Sequence, residues 1–569
     1  MGGKHQMKHL IPIMVILLIV STSFVGVSYN IEKSSNSSLD RKILYVGGSG
    51  PGNYTSIQDA IDDANNGDTI FVFNGTYFEN LNVDKSIRLI GENRDITVIE
   101  GGKVDSVVEV IADNVCIEGF TITNGVEDFS EAGINVFSNW TIIRNNILLE
   151  TQCNGVRLAH SFFALIENNF FKNNIYYHIN LRGKSNNNTV KNNILTVSQD
   201  WHRMCNGIAL STSSNNLVEK NEIVGMDFGT GIIVYGPSGH NTIRNNLIHN
   251  NPCSSESNNI QISSSDYNLI INNKLLNNSG CGIAMFFSEG NEIIENTIGP
   301  GQKFGIGLQD CRYNNTIKFN DISFTETGIG LYIYSSKNIV ESNNLSNNTY
   351  GIFMRGTDLL NYVPNNIIRK NNLIGNDYGV YITVSKVYGP SNDNLIYYNN
   401  FINNIQNAYD NCSNMWNKSG FGNYWDDYTG IDTNDDGIGD SSFYDIPDNG
   451  NQDMYPLMES FVLTELKINI ETGPFKISND IENIGNRVAF NVKWKMTIEG
   501  GIIREDRNKS GAIDFIYKPP HPNPNADIGG KLGLGLGKLT ITIKAEADNA
   551  QLVTKSIRIY LLLFLIIPI

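Results

Sequence analysis

The chain has 569 residues, 58 of them acidic and 42 basic, for a formal net charge of −16, with 40% hydrophobic and 18% charged residues. This acidic balance excludes nucleic acid as a partner, because binding phosphate takes a clustered basic patch. The length exceeds what one core needs and predicts two or three structural units.

Residues 1–28 read as a secretory signal peptide. Lys4, His5, Lys8 and His9 form a basic start, Leu10 to Val20 an apolar run, and small residues follow to Ser28. The apolar run is shorter than the ~20 residues that span a bilayer. An uncleaved anchor is the alternative. The chain is therefore expected to be secreted or at the cell surface, with membrane or cell-envelope association open.

Thr55 to Ala64 predicts one short helix. Thr55 and Gln58 have capping-box spacing, and Ile57, Ala60, Ile61 and Ala64 make one apolar face. Gly67 ends the helix. Strands are expected at 69–73, 87–90 and 107–111, with the helix closing the first coil of a solenoid.

A repeat then dominates the sequence. Its pattern is Asn-x-Ile/Val-x-x-Asn-x-Ile/Leu/Phe, as in NTVKNNIL from Asn188 and NTIRNNLI from Asn241. The second Asn recurs at 146, 169, 193, 221, 246, 273, 296, 320, 343, 371 and 399, at spacings of 23 to 28 residues. Each repeat has a second element, a Gly followed by alternating apolar residues, as in Gly282-Ile-Ala-Met and Gly379-Val-Tyr-Ile. These are strands entered through a turn. Coils of ~25 residues with two or three short strands predict an all-β, right-handed parallel β-helix over 42–411. The repeating Asn is expected in the left-handed corner conformation, with its side chain in an amide ladder along the stack at a ~4.8 Å rise.

Seven cysteines occur, and Cys253 with Cys281 is the one disulfide candidate. Most of the others read as small buried packing residues.

The loop between the two repeat elements is polar in several coils. It carries Glu127, Asp128, Glu131 and Glu150, then Asp200, Trp201, His202 and Arg203, then Asp227. Stacking these into one groove makes Asp128, Asp200, Trp201, His202, Arg203 and Asp227 candidate substrate-binding residues, since acids beside an aromatic and an Arg suit a sugar chain. The competing reading is an ordinary solvated edge. No catalytic residue is assigned.

After the last coil comes a closing segment, 412–460. Its acidic loop sets Asp432, Asn434 and Asp436 at alternate positions before Gly437, with Asp440 beyond. That opening follows a calcium loop. Phe443 stands where an EF-hand needs Glu. The tail, 466–569, alternates apolar and polar residues from Val488 to Ile498 and reads as a β-sandwich. Its apolar end from Ile559 reads as a last buried strand, with a membrane anchor as the alternative.

Tyr45 to Asn93 (YVGGSGPGNYTSIQDAIDDANNGDTIFVFNGTYFENLNVDKSIRLIGEN) resembles the opening of NosD-like, pectate-lyase-like β-helix surface proteins of archaea and bacteria. GNYWDDYTGIDTNDDGIGD from Gly422, with DMYPLM from Asp453, is similar to their closing segment. The resemblance implies the fold and leaves the activity open, because the superfamily holds lyases, hydrolases, epimerases and non-catalytic binders. The acidic loop resembles the compact loops of thrombospondin type 3 repeats. That likeness implies structural calcium held by Asp432, Asn434, Asp436 and Asp440 and the carbonyl of Ile438. Ile477 to Gly501 is similar to Ig-like modules that end archaeal surface proteins.

The function expected is a non-catalytic surface scaffold that binds a polysaccharide or cell-surface glycan. The alternative is a secreted polysaccharide lyase or glycoside hydrolase. A weaker one is a NosD-like copper-processing factor, which the scattered His160, His178, His202, His240 and His249 do not support.

Overall fold

The computed structural model describes residues 41–569 apart from short stretches, the longest being 252–257, 357–364, 517–524 and 529–534. The signal-peptide reading of residues 1–28 lies outside the described residues.

Ile43 to Trp425 winds into a parallel β-solenoid of three sheets, with every third strand up to Asp410 in the same sheet. Sheet A has 15 strands from Ile43–Val46 to Leu395–Tyr397, sheet B has 15 from Gly75–Phe78 to Tyr424–Trp425, and sheet C has 14 from Leu81–Val83 to Gln406–Asp410. Each coil thus carries three strands.

The repeat motif explains the coil. In Thr189–Lys191 the central Val190 is fully buried and its neighbours are half-exposed. Val190 lies level with Ile166 on one side and Val218 on the other, and Ile243 and Ile270 extend this interior column. The motif's last apolar residue does the same in sheet B, where Leu195, Ile223 and Ile248 stack. Each buried Ile or Leu contributes roughly 1.5–3 kcal/mol.

The repeating Asn residues form the expected ladders. Asn193 donates from its backbone N–H and from Nδ2 to Oδ1 of Asn221, both at 3.0 Å, and Asn221 repeats this with Asn246. Asn188, Asn216 and Asn241 make a second ladder at the entrance to sheet A. The left-handed corner belongs to a different residue. It is the one just before the ladder Asn, namely Asn192, Lys220, Asn245, Asn272, Glu295 and Phe319, with φ from 54° to 58°. The ladder Asn is buried and spends its side chain on the stack, so the strained φ passes to its exposed or half-exposed neighbour.

The glycine near the start of several sheet C strands is also not a turn residue. A Cβ on Gly282, Gly305, Gly328 or Gly351 meets the carbonyl oxygen of the next coil's strand at 2.5–2.6 Å. Close backbone stacking excludes a side chain there.

The helix forms over Ile57–Asp63, with Ile57, Ala60 and Ile61 buried. Its cap differs from the capping box. Ser56 is the N-cap and accepts from the N–H of Asp59, while the carboxylate of Glu79 takes the N–H of Ile57 and of Gln58. At the far end both ladders run into carboxylates. Asn399 passes to Asn423 and then to Asp453, and Asn394 passes to Asn414 and then to Asp410. Trp425 Nε1 donates to Asp453 and Trp416 Nε1 to Asp410, each at 2.9 Å.

The tail forms a three-stranded and a five-stranded antiparallel sheet. Strand Leu466–Gly473 packs on Gly535–Ala547 and Ala550–Leu563 around Ile468, Ile481, Val492, Ile541 and Ile543. The apolar end pairs as a hairpin, Ile559 opposite Pro568 and Leu561 opposite Ile566, with Ile559 and Leu561 fully buried.

The Cys253–Cys281 disulfide candidate falls partly outside the described residues. Cys281 is a free, buried thiol, and the register sets Asn258 opposite it, five positions after Cys253. Cys253 itself lies outside the described residues.

Candidate functional site

The predicted groove is joined only in part. Arg203 Nη2 pairs with Glu127 Oε1 at 2.6 Å, and Nη1 reaches Gln152 Oε1 at 3.3 Å, so three coils do meet at this edge. Asp128 turns back on its own loop, accepting from the N–H and hydroxyl of Ser130 at 2.8 and 2.6 Å. Those donors hold its carboxyl below the usual range. Asp200 is exposed, and Trp201 packs half-buried against the solenoid core. His202 and Asp227 lie outside the described residues.

The chemistry concentrates beside that edge, on the outer face of sheet C. Alternation turns every second residue of each strand outward, and stacking lines these up across coils. One such column reads Asn135, Arg157, Asn180, Ala209, Ile233, Gln261, Ala284, Gly307, Gly330, Phe353, Tyr381 and Tyr409. Its early part is polar and partly covered. Its late part is aromatic.

In the aromatic part, Phe353 stacks on Tyr381 with centroids 5.8 Å apart, and Tyr381 on Tyr409 at 4.6 Å. Tyr350 and Tyr378 stack beside them at 5.5 Å and meet Tyr381 edge-on. Just upstream the face dips. A cavity of about 370 Å3 opens over Ala284 and Gly307, walled by Phe286, Phe304 and Tyr332 and edged by Asn258 and Gln309. The Tyr332 ring lies across Gly330, where a Cβ meets it at 2.3 Å.

This face was legible and missed. In Gly351-Ile-Phe-Met and Gly379-Val-Tyr-Ile the third residue points outward, so Phe353 and Tyr381 mark an aromatic stripe.

The acidic loop folds onto its own backbone. Asp432 accepts from the N–H of Asn434 and Gly437, Asn434 from Asp436, Asp436 from Ile438, and Asp440 from Thr433. The Thr433 hydroxyl and N–H hold the Asp440 carboxyl low.

The family described as "Periplasmic copper-binding protein (NosD)" matches residues 61–254 and 334–430, together half of the chain. The chain belongs to the NosD family. A second description, "Right handed beta helix region", matches residues 199–326 of this NosD-family chain. No curated protein matches it. Among solved structures, the Dettilon tailspike protein (gp208) overlaps with a TM-score of 0.39 at 11% identity, covering 89% of this chain and 94% of that one. The A-module of Azotobacter vinelandii mannuronan C-5 epimerase AlgE6 gives 0.34 at 13%, covering 64% and 91%. DFA-IIIase from Arthrobacter chlorophenolicus A6 gives 0.37 at 15%, covering 52% and 94%. These overlaps carry no information on activity.

The family description names copper and the periplasm. The donors described in this chain do not fit copper. Among the described residues, no three His, Cys, Asp or Glu side chains converge. His178 is fully buried beside Asn174, His240 stacks on Tyr267, and His249 pairs with Glu222 at 2.9 Å. The thiols of Cys153, Cys281 and Cys311 are each pushed by burial up to about 12.

Proposed function

We propose that this NosD-family chain is an exported, non-catalytic scaffold that binds a polysaccharide or cell-surface glycan along the outer face of sheet C. The observation that carries the reading is the continuous ring surface from Phe304 to Tyr409, with the cavity at its upstream end. Aromatic rings give sugar C–H faces a rigid apolar platform while phenol hydroxyls serve the sugar hydroxyls. A polymer lying along the solenoid axis meets similar chemistry at each ~4.8 Å step. A lyase or hydrolase working at Asp128, Asp200 and Arg203 finds less support, because Asp128 is bound to Ser130 and Arg203 to Glu127. The acidic loop enters this reading as a structural calcium site on its spacing alone, since its carboxylates accept the loop's own N–H groups and, among the described residues, do not converge on one point. It offers Asp432, Asn434, Asp436 and Asp440 around a tight turn at Gly437 (φ 88°).

Affinity electrophoresis of the full chain against a glycan panel tests the binding. At least one glycan is expected to retard it, and Tyr381→Ala to weaken that glycan by roughly tenfold, about 1.4 kcal/mol, with the melting point little changed. Retardation by no glycan, or a Tyr381→Ala chain retarded as strongly as the parent, contradicts the proposal.

A further inference from the structure

The five-stranded sheet of the tail has one covered face and one open face. Its inner side packs on strand Leu466–Gly473 through buried residues such as Val492, Ile498, Leu539 and Ile541. Alternation sends the residues between these to the outer face. At one end of that face Ile502, Leu536 and Leu562 lie level across three neighbouring strands, Ala489–Ile503, Gly535–Ala547 and Ala550–Leu563. They are 75%, 49% and 47% exposed. Two residues along, Lys538 and Tyr560 are level with each other and exposed. Single exposed apolar residues are ordinary on a protein surface, but a level row of three marks a contact surface.

The same face is basic, on a chain whose net charge is −16. Lys495 stands level with Lys544 on the adjacent strand, and both are exposed. Like charges set directly opposite destabilise a sheet unless an anion joins them. Lys493 and Glu546 are also level, and their charges offset each other. Among the described residues of these three strands, that leaves Lys495, Lys538, Lys544 and Arg558 on the outer face against the one carboxylate of Glu499. None of the ion pairs among the described residues includes any of these four cations.

We infer that this end of the tail's outer face rests on an anionic lipid surface. The row of Ile502, Leu536 and Leu562 enters the boundary between headgroups and acyl chains, Tyr560 sits at the headgroup level, and the four cations meet lipid phosphates. An apolar patch bordered by an aromatic ring and basic side chains suits that boundary. An anionic leaflet attracts clustered Lys and Arg. A second copy of the chain is a poorer occupant, because a two-fold contact through this patch brings the same cations of both copies together. A soluble polyanion pairs the cations and leaves the apolar row in water. The inference is independent of the glycan-binding reading and gives the scaffold a lipid tether.

The test uses the full chain and mixed phosphatidylglycerol and phosphatidylcholine vesicles with brominated acyl chains, which quench tryptophan on contact. The apolar run Leu10 to Val20 can reach lipid by itself, so the reporter must be local. Ile502→Trp and Leu552→Trp each add one tryptophan to the same background of five. Leu552 is 55% exposed and lies at the opposite end of its strand from Leu562. Ile502→Trp is expected to be quenched, and Leu552→Trp to show the background alone. Adding Lys495→Glu and Lys544→Glu to the Ile502→Trp chain is expected to weaken its vesicle affinity by roughly tenfold. Equal quenching of the two reporters, no quenching of Ile502→Trp, or an unchanged affinity after the charge reversal overturns the inference. A parent chain that sediments as a dimer, and that Ile502→Asp turns into a monomer, also overturns it and assigns the face to a second copy. Where a tryptophan disturbs the strand, vesicle flotation of the parent against Ile502→Asp decides. The variant is expected to be captured roughly tenfold more weakly, and equal capture overturns the inference.

Discussion

Asp453 ends a ladder of neutral amides as a carboxylate. It receives the N–H of Asn423 at 2.6 Å and the Trp425 indole at 2.9 Å, and it is fully buried. Burial pushes its pKa from 3.8 up to about 6, outweighing the donors that pull it down. The native state therefore holds a proton that the unfolded chain releases between those two values. Stability on this account is full below about pH 4 and is lost as pH rises through 6, by roughly 3 kcal/mol for the group. Burial raises Asp410 in the same direction. Chemical denaturation across pH 4 to 7 checks this. The parent is expected to lose stability through that window, and Asp453→Asn to flatten the slope. A parent whose stability rises from pH 4 to 6 contradicts it. At this scale the sequence was a good guide wherever a residue repeats. The Asn-x-Val pattern disclosed Val190 and the ladder Asn193 directly. It did not disclose Asp453, which joins the ladder once and from 30 residues beyond Asn423.

Elements built from local repetition were readable, and those completed from a distance were not. The helix at Ile57 was evident from its apolar face, but its cap comes from Glu79, 22 residues on. Sheet A shows the same limit. Its outer column pairs Arg144 with Glu118, Lys191 with Glu167, Arg244 with Glu219 and Arg369 with Glu341, each across one coil. Partly exposed pairs of this kind contribute little energy, ~0.2–1 kcal/mol each. They favour the observed register, because a slip along the strand separates the opposite charges. The acidic loop is an element whose ligands were read from spacing alone. If it holds calcium, the ion stabilises the fold by roughly 2.7 kcal/mol at a hundredfold excess over its Kd. Melting with calcium and then with excess EGTA is expected to show a lower midpoint in EGTA, and Asp436→Ala to abolish the difference. Identical midpoints for the parent under both conditions contradict a calcium role.

The solenoid has one chemically uneven side. Sheet A presents paired charges, while sheet C runs from buried arginine at Arg157 to stacked tyrosines at Tyr409. The solenoid itself was apparent from the repeat, because three-residue strands around one buried residue need stacked neighbours to fold. The site was harder to see. Loop charges such as Asp200 draw attention in a sequence, whereas Phe353, Tyr381 and Tyr409 stand in separate repeats and become one surface only when the coils close. Hydroxyl-radical footprinting of the full chain, with and without a retained glycan, tests that surface most directly. The account predicts protection of Tyr350, Tyr378, Tyr381 and Tyr409, with the rings of sheet A and of the tail unchanged. Protection confined to the Asp128–Arg203 edge or to the tail, with those four tyrosines oxidised as before, contradicts it.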